Sequence, residues 1–378
     1  MRWPAIICSG CMILAFAMTA LPQAPDAKTT ATAPTKAEWQ AVVSKAVEFL
    51  KTTQAEDGSW SVEPQKRGIT GIVVTGLLTT GQSPSDAPAA KGLKYIESLV
   101  NRKEGHIAGD SKIGLQNYVT SINVMALAAA GNDSYKPIIG NATDYLRKLQ
   151  WDDSENITPA DPRFGGSGYG GGGSRPDLSN TSFFLDALKA AGVGAQDPAF
   201  KKAAVFVSRC QNLKSEYNDQ PWAGKINDGT FIYTAAGGGE TRTDTEELRG
   251  YGSMTYAGIK SLIYAGVGPD DQRVKTALGW LKKNYTLDAN PGMPKAIGQR
   301  GLFYYYVTFA KAHAALGEQY FVDDQGVKHD WKADLFQALA KRQKPDGSWT
   351  NPNDRWMEGD PNLVTGYALM ALSYCQPK

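Results

Sequence analysis

Lys45–Trp60 reads KAVEFLKTTQAEDGSW. Its apolar residues Ala46 and Phe49-Leu50 fall three and four apart, which predicts one turn-repeating buried face on a helix. Gln54 and the Asp57-Gly58-Ser59-Trp60 turn then end it. The same order returns along the chain. Lys202-Ala203, Phe206-Val207 and Gln211 form one copy, and Ala142, Tyr145-Leu146 and Gln150 another. Lys91-Gly92 with Tyr95-Ile96, and Ala277 with Trp280-Leu281, are copies that lack the glutamine. Leu339, Gln343 and Gly347-Ser348-Trp349 close the series, with Ala338 in the aromatic place.

A second, more apolar helix follows each copy and ends at a glycine: GIVVTGLLTTG to Gly81, VTSINVMALAAAG to Gly131 and TSFFLDALKAAG to Gly192. MTYAGIKSLIYAG to Gly266 and YVTFAKAHAALG to Gly317 continue the set, and VTGYALMALSYC ends it. Glycine directly after a helix suits the left-handed cap position. The unit is therefore helix, loop, helix, used six times, with short turns between units. An open stack of such hairpins would leave two apolar ends, and no polar capping repeat is present. Closure removes both ends. The pattern predicts an all-α (α/α)6 toroid with the apolar helices inside and the Lys-Ala-x-x-aromatic helices outside.

At 378 residues, with 21% charged and 42% apolar residues, the composition is that of a soluble globular protein. The balance of 40 basic to 38 acidic residues gives no electrostatic footprint for nucleic acid. MRWPA, then the apolar IICSGCMILAFAMTAL, then PQAPDA, has the order of a secretory signal peptide. Residues 1–24 are expected to be that signal or an uncleaved anchor, which implies export to the periplasm or the exterior. Residues 25–37 form an Ala/Thr/Pro linker, and 38–378 the toroid. Cys210 and Cys375 fall on apolar helical patterns and predict buried thiols. His106, His313 and His329 have no metal-ligand spacing, so no metal and no cofactor is expected.

The Lys45–Trp60 stretch resembles the glutamine–tryptophan repeat of squalene and oxidosqualene cyclases. GYGSMTYAGIKSL and RPDLSNTSFFLDAL are similar to inner helices of the wider superfamily of terpene cyclases and protein prenyltransferase β subunits. The resemblance runs from about Lys36 to the C-terminus and implies the toroid and a terpenoid cyclase, isomerase or transferase-like activity. Cyclases that protonate an alkene carry Asp-x-Asp-Asp-Thr at the start of an inner helix. The nearest match is Asp177-Leu178-Ser179-Asn180-Thr181, which keeps the first Asp and the Thr but has Ser179 in place of the acid. A serine hydroxyl is far too weak an acid for that step. The zinc-binding Asp-x-Cys pair of the prenyltransferases is replaced by Arg249 and Tyr251, with no later histidine near Asn362–Thr365.

Parallel inner helices bring their N-termini to one mouth, where dipole ends and basic residues such as Arg175, Arg249 and Arg300 would suit an anionic head group. Phe183, Tyr251, Tyr256, Tyr304 and Tyr305 lie on inner helices, where aromatic faces can line an apolar cavity and stabilise carbocations. If the ring is an enzyme, Asp177 or Glu246 is its expected acid, the latter in the cluster Asp244-Thr245-Glu246-Glu247. The glycine-rich run Phe164–Ser174 follows no β-strand and is read as a loop bordering the mouth, not a dinucleotide site. These residues point to an exported toroid that binds an apolar, isoprenoid-type ligand. The alternatives are a non-catalytic module that binds a protein partner on its loops, and a carbohydrate-active (α/α)6 enzyme with paired carboxylates such as Asp177 with Glu246 or Asp360. Contact with a membrane is expected only through an uncleaved N-terminal segment.

Overall fold

The computed structural model describes residues 31–110, 114–170, 174–239, 241 and 248–377. Six outer helices, α1 (Lys36–Thr53), α3 (Ala87–Ser98), α5 (Lys136–Lys148), α7 (Pro198–Arg209), α10 (Gln272–Lys283) and α12 (Trp331–Arg342), alternate with six inner ones. The inner set is α2 (Lys66–Thr79), α4 (Gln116–Ala129), α6 (Leu178–Ala190), α9 (Gly252–Tyr264), α11 (Leu302–Leu316) and α13 (Pro361–Leu372). A single turn, α8 (Ala223–Ile226), sits in the long loop between α7 and α9. Around the ring α2 packs on α4, α4 on α6, α6 on α9, α9 on α11 and α11 on α13, and α13 returns to α2. The chain is thus a closed (α/α)6 toroid. The expected signal region lies outside the described residues, and no described helix is long and apolar enough to cross a membrane.

Hydrophobic patterning separates the two rings. Gly68 to Leu78 of α2 and Asn362 to Leu372 of α13 are buried on every side, because each inner helix is walled by two inner neighbours and by outer helices. Outer α1 buries only Trp39, Val43, Ala46, Val47 and Leu50, the stripe that a 3.6-residue period places on one face. Thr35 opens α1 with a capping box: its hydroxyl accepts from Glu38 N and its N–H donates to the Glu38 carboxylate. The glycine stops hold, with Gly81, Gly131, Gly192, Gly266 and Gly317 all at positive φ. One turn between units is longer than expected: an antiparallel hairpin, Tyr320–Val322 with Lys328–Asp330, precedes α12.

The repeat glutamine is the staple between units. Gln54 Nε2 donates to Gly58 O in its own loop at 3.0 Å and to Pro88 O at the start of α3 at 2.9 Å. Gln150 repeats this on Gly165 and Ala199, and Gln211 on Gly229 and Arg273. Gln343 donates to Gly347 O and to Val42 O of α1, which closes the ring. The glycine is required as well as the glutamine. At Gly347, φ is +90°, left-handed backbone, and a Cβ there would lie 2.2 Å from Lys45 O. Trp60 and Trp349 fill the space beneath, their indole N–H groups donating to Leu50 O and Leu339 O at 2.8 Å.

A threonine on the inner helix completes the unit. Its hydroxyl accepts a loop N–H in five of the six: Thr70 from Trp60, Thr120 from Ile107, Thr181 from Ser167, Thr255 from Phe231 and Thr365 from Trp349. Thr181, which the sequence aligns with the cyclase acid motif, is therefore a part of the repeat.

Candidate functional site

The first turns of the inner helices surround a cavity of about 250 Å³ at one mouth of the ring. Its wall is largely aromatic. Tyr118, Phe183, Tyr304 and Tyr367, from α4, α6, α11 and α13, form a closed circuit. Ring centres lie 5.2 Å apart for Tyr118–Phe183, 5.9 Å for Phe183–Tyr304 and 6.2 Å for Tyr304–Tyr367. The circuit ends in a 3.4 Å contact between the hydroxyls of Tyr367 and Tyr118. Ser179 and Tyr304 also share a hydroxyl contact, of 3.1 Å. Burial pushes the Tyr118 phenol up to about 12 and raises those of Tyr304 and Tyr367 as well, so these three phenols keep their protons.

Of the residues that the sequence placed in a ligand site, Phe183, Tyr251 and Tyr304 line this cavity. Tyr256 and Tyr305 do not. They are buried behind it, with ring centres 5.8 Å apart, and both pack on Phe309. The Tyr305 hydroxyl donates to Thr286 O in the loop after α10. Tyr305 follows Tyr304 by one position and Tyr256 follows Met254 by two, turns of about 100° and 200° about the helix axis that here carry both rings to the side away from the cavity.

The basic residues expected at the mouth are not in the cavity wall either. Arg175 and Arg249 are exposed and Arg300 is half-buried. Lys66 and Arg67 are paired with Glu63, and Lys66 also with Asp57. Asp177 is a helix cap. Its Oδ1 accepts from Asn180 N at 2.8 Å and its Oδ2 from Asn180 Nδ2 at 2.7 Å, in a buried setting beneath α6. Asp360 caps α13 in the same way through Asn362 N and Leu363 N. Glu246 and the acidic cluster around it lie outside the described residues. Cys210 and Cys375 are buried free thiols, and burial pushes both up.

The carboxyl that does line the cavity is Glu358, which sequence reasoning passed over. It is 1% exposed. Oε1 accepts from the N–H of Tyr304 at 2.8 Å, in the first turn of α11, and Oε2 accepts from Asn351 Nδ2 at 2.6 Å. Burial is the largest influence and pushes the carboxyl up to about 7, against the downward pull of Asn351 and the N–H groups of Tyr304, Phe303 and Leu302. The dipole end predicted for a ligand anion is used by this side chain. Glu358 is carried inward by Trp356 and Met357, both at positive φ, which fold over the mouth. Trp356 lies against Gly301, where a Cβ would meet its ring at 2.9 Å. The available sequence signal was faint: two large apolar residues in a polar loop, DRWMEGD, ahead of an inner helix.

No family model matches the chain, and no curated protein is similar to it in sequence. Solved structures are similar to it in fold. The type II terpene cyclase MstE from Scytonema is 16% identical, with 90% of this chain and 98% of that one covered and a TM-score of 0.55. A variant of the same enzyme bound to geranylgeranyl dihydroxybenzoate is 14% identical over the same coverage, also at 0.55. A glycosidase variant is 12% identical, covering 90% and 97%, at 0.52. The architecture is thus the (α/α)6 toroid that terpene cyclases and glycosidases share, as the repeat resemblance implies.

Proposed function

We propose that the protein binds an apolar, isoprenoid-type ligand in the mouth cavity and carries out proton transfer on it through Glu358. The observation that supports this is a buried carboxyl, pushed up to about 7, in a mainly apolar wall whose other polar members, Gln65, Ser179 and Ser253, carry no charge. A group with that affinity for its proton is half protonated at neutral pH and serves as acid in one step and base in the next. It is too weak to protonate an unactivated alkene readily, and an oxygen function on the ligand is the better acceptor. Protonation there breaks the C–O bond, whose electron pair leaves with oxygen. The faces of Phe183, Tyr118, Tyr304 and Tyr367 stabilise the cation, and loss of a carbon-bound proton to the Glu358 carboxylate ends the reaction. The signal-like order of segment 1–24 supports a site of action outside the cytoplasm.

The test is mass spectrometry of organic extracts from the purified chain, with thermal titration by farnesol. A co-purifying isoprenoid, and a farnesol-dependent rise in melting temperature lost in Phe183→Asp, is the expected result. Clean extracts and no farnesol effect on the folded wild-type chain would sink the proposal. The carbohydrate-active reading draws on the glycosidases of like fold. It requires a second carboxyl about 5–10 Å from Glu358, and Glu358 is the only one among the described residues lining the cavity. Reducing-sugar release from a glycan panel would favour that reading instead.

A further inference from the structure

At the end of the ring away from the mouth, where the inner helices finish, three charged side chains meet in the interior. Asp186 on α6 accepts from Lys260 Nζ on α9 at 2.5 Å through Oδ1, and from Lys311 Nζ on α11 at 2.7 Å through Oδ2. The side chains of Lys260, Lys311 and Asp186 are 1%, 8% and 6% exposed. Two buried ammonium groups therefore share one carboxylate, and one positive charge is left over. Charge taken out of water is costly unless it is balanced. Lys260 shows the strain: burial, together with the nearby Lys311, holds it down at about 8 despite Asp186. The closing turns of α6 and α9 contribute partial negative charge, which favours both ammonium groups. Those turns supply fractions of a charge spread over several carbonyls, not a counter-ion.

The cluster is open to a basin of about 330 Å³, lined by Asp186, Lys311, Lys189, Tyr264, Ser373 and Tyr374. Lys189 stands at its rim, with Nζ 5.8 Å from the centre of the Tyr264 ring. The hydroxyls of Tyr264 and Tyr374 have no hydrogen-bond partner among the described residues. Burial raises both phenols, so each keeps its proton and is a donor in waiting. The remaining wall includes Ala128 and Met370, which present aliphatic surface. We propose that this basin binds a small organic carboxylate, whose charge balances the Asp186–Lys260–Lys311 cluster and whose oxygens accept from Lys311, Lys189 and the two phenols. The site is separate from the mouth cavity, and its occupancy does not depend on the chemistry proposed there.

Calorimetric titration of the full chain with butyrate, in a buffer free of halide and other carboxylates, tests this. The expected result is saturable binding with a Kd of ~1 mM or tighter. Lys260→Met leaves Asp186 and Lys311 as a balanced pair, and its butyrate affinity is expected to fall about tenfold or more. Tyr374→Phe removes a rim donor and leaves the cluster whole, and it is expected to weaken binding by about two- to tenfold. Absence of saturable binding by the wild-type chain overturns the proposal, as does wild-type affinity in a folded Lys260→Met variant. If that variant fails to fold, unchanged affinity in both Tyr374→Phe and Lys189→Ala overturns it. Chloride binding as tightly as butyrate overturns the assignment to a carboxylate.

Discussion

The N–H of Tyr304 donates to Glu358 Oε1 at 2.8 Å, so the first turn of the fifth inner helix is capped by a carboxylate delivered from the loop ahead of the sixth. This one contact fixes the buried acid at the cavity and joins two units that sequence treats as separate repeats.

Glu358 gives the stability of the protein a particular pH dependence. Its carboxyl rises from an ordinary 4.5 to about 7 on folding, so the folded state holds a proton that the unfolded chain has already released. Stability from this group is present below pH 4.5 and is lost as pH rises to about 7, by roughly 3 kcal/mol, with no further loss above that. Glu358→Gln is expected to flatten the slope between pH 4.5 and 7 in chemical denaturation measured at a series of pH values. If the proposed proton transfer operates, turnover of an oxygenated isoprenoid, which needs the protonated acid, is expected to fall above about pH 7 in the wild-type chain and to be abolished in the variant.

Asp177 as a cap and Asp177 as an acid differ in outcome. Asp177→Asn keeps an oxygen facing Asn180 N, and an amide flip of Asn180 restores the side-chain contact, since Asn180 Oδ1 is buried without a partner. A change in stability of about 1 kcal/mol or less is expected, with ligand binding and turnover retained. Loss of turnover with unchanged melting would return Asp177 to the catalytic role.

Two glycines on α2 separate cavity from packing. A Cβ at Gly68 would sit 3.6 Å from the Tyr118 ring and 3.8 Å from Val119, ordinary contact distances. At Gly71 it would meet Asn123 Oδ1 at 2.3 Å and Ile122 Cγ2 at 2.6 Å. Gly68→Ala is expected to stabilise the chain by up to about 1 kcal/mol through helix propensity, and Gly71→Ala to destabilise it by about 1–3 kcal/mol. Urea melts of the pair check both signs.

Ring closure can be tested at Gln343, whose amide spans Gly347 O and Val42 O. Gln343→Ala leaves two carbonyls without their donor and is expected to cost about 1–3 kcal/mol. Protection of α1 amides in hydrogen exchange should fall more than that of α7, because the staple lost is the one that holds α1 to the last unit.

Periodicity determined the repeat, its count and the two kinds of helix. These are local properties: apolar spacing within a turn or two, a glycine stop, a glutamine at a fixed offset. The same reasoning placed Phe183, Tyr251 and Tyr304 on inner helices, and the structure brings these three to the cavity. It could not tell them from Tyr256 and Tyr305, because on an inner helix every face is buried and the pattern no longer says which one looks down the axis. Only the tertiary structure decided the acid. Glu358 is ordinary in its own loop. Its burial, its donors and its raised affinity for a proton all come from Asn351 and from the α11 N-terminus, more than 50 residues away for Tyr304. The charge excess at Asp186, Lys260 and Lys311 arises the same way, from three helices that only the closed ring brings into contact.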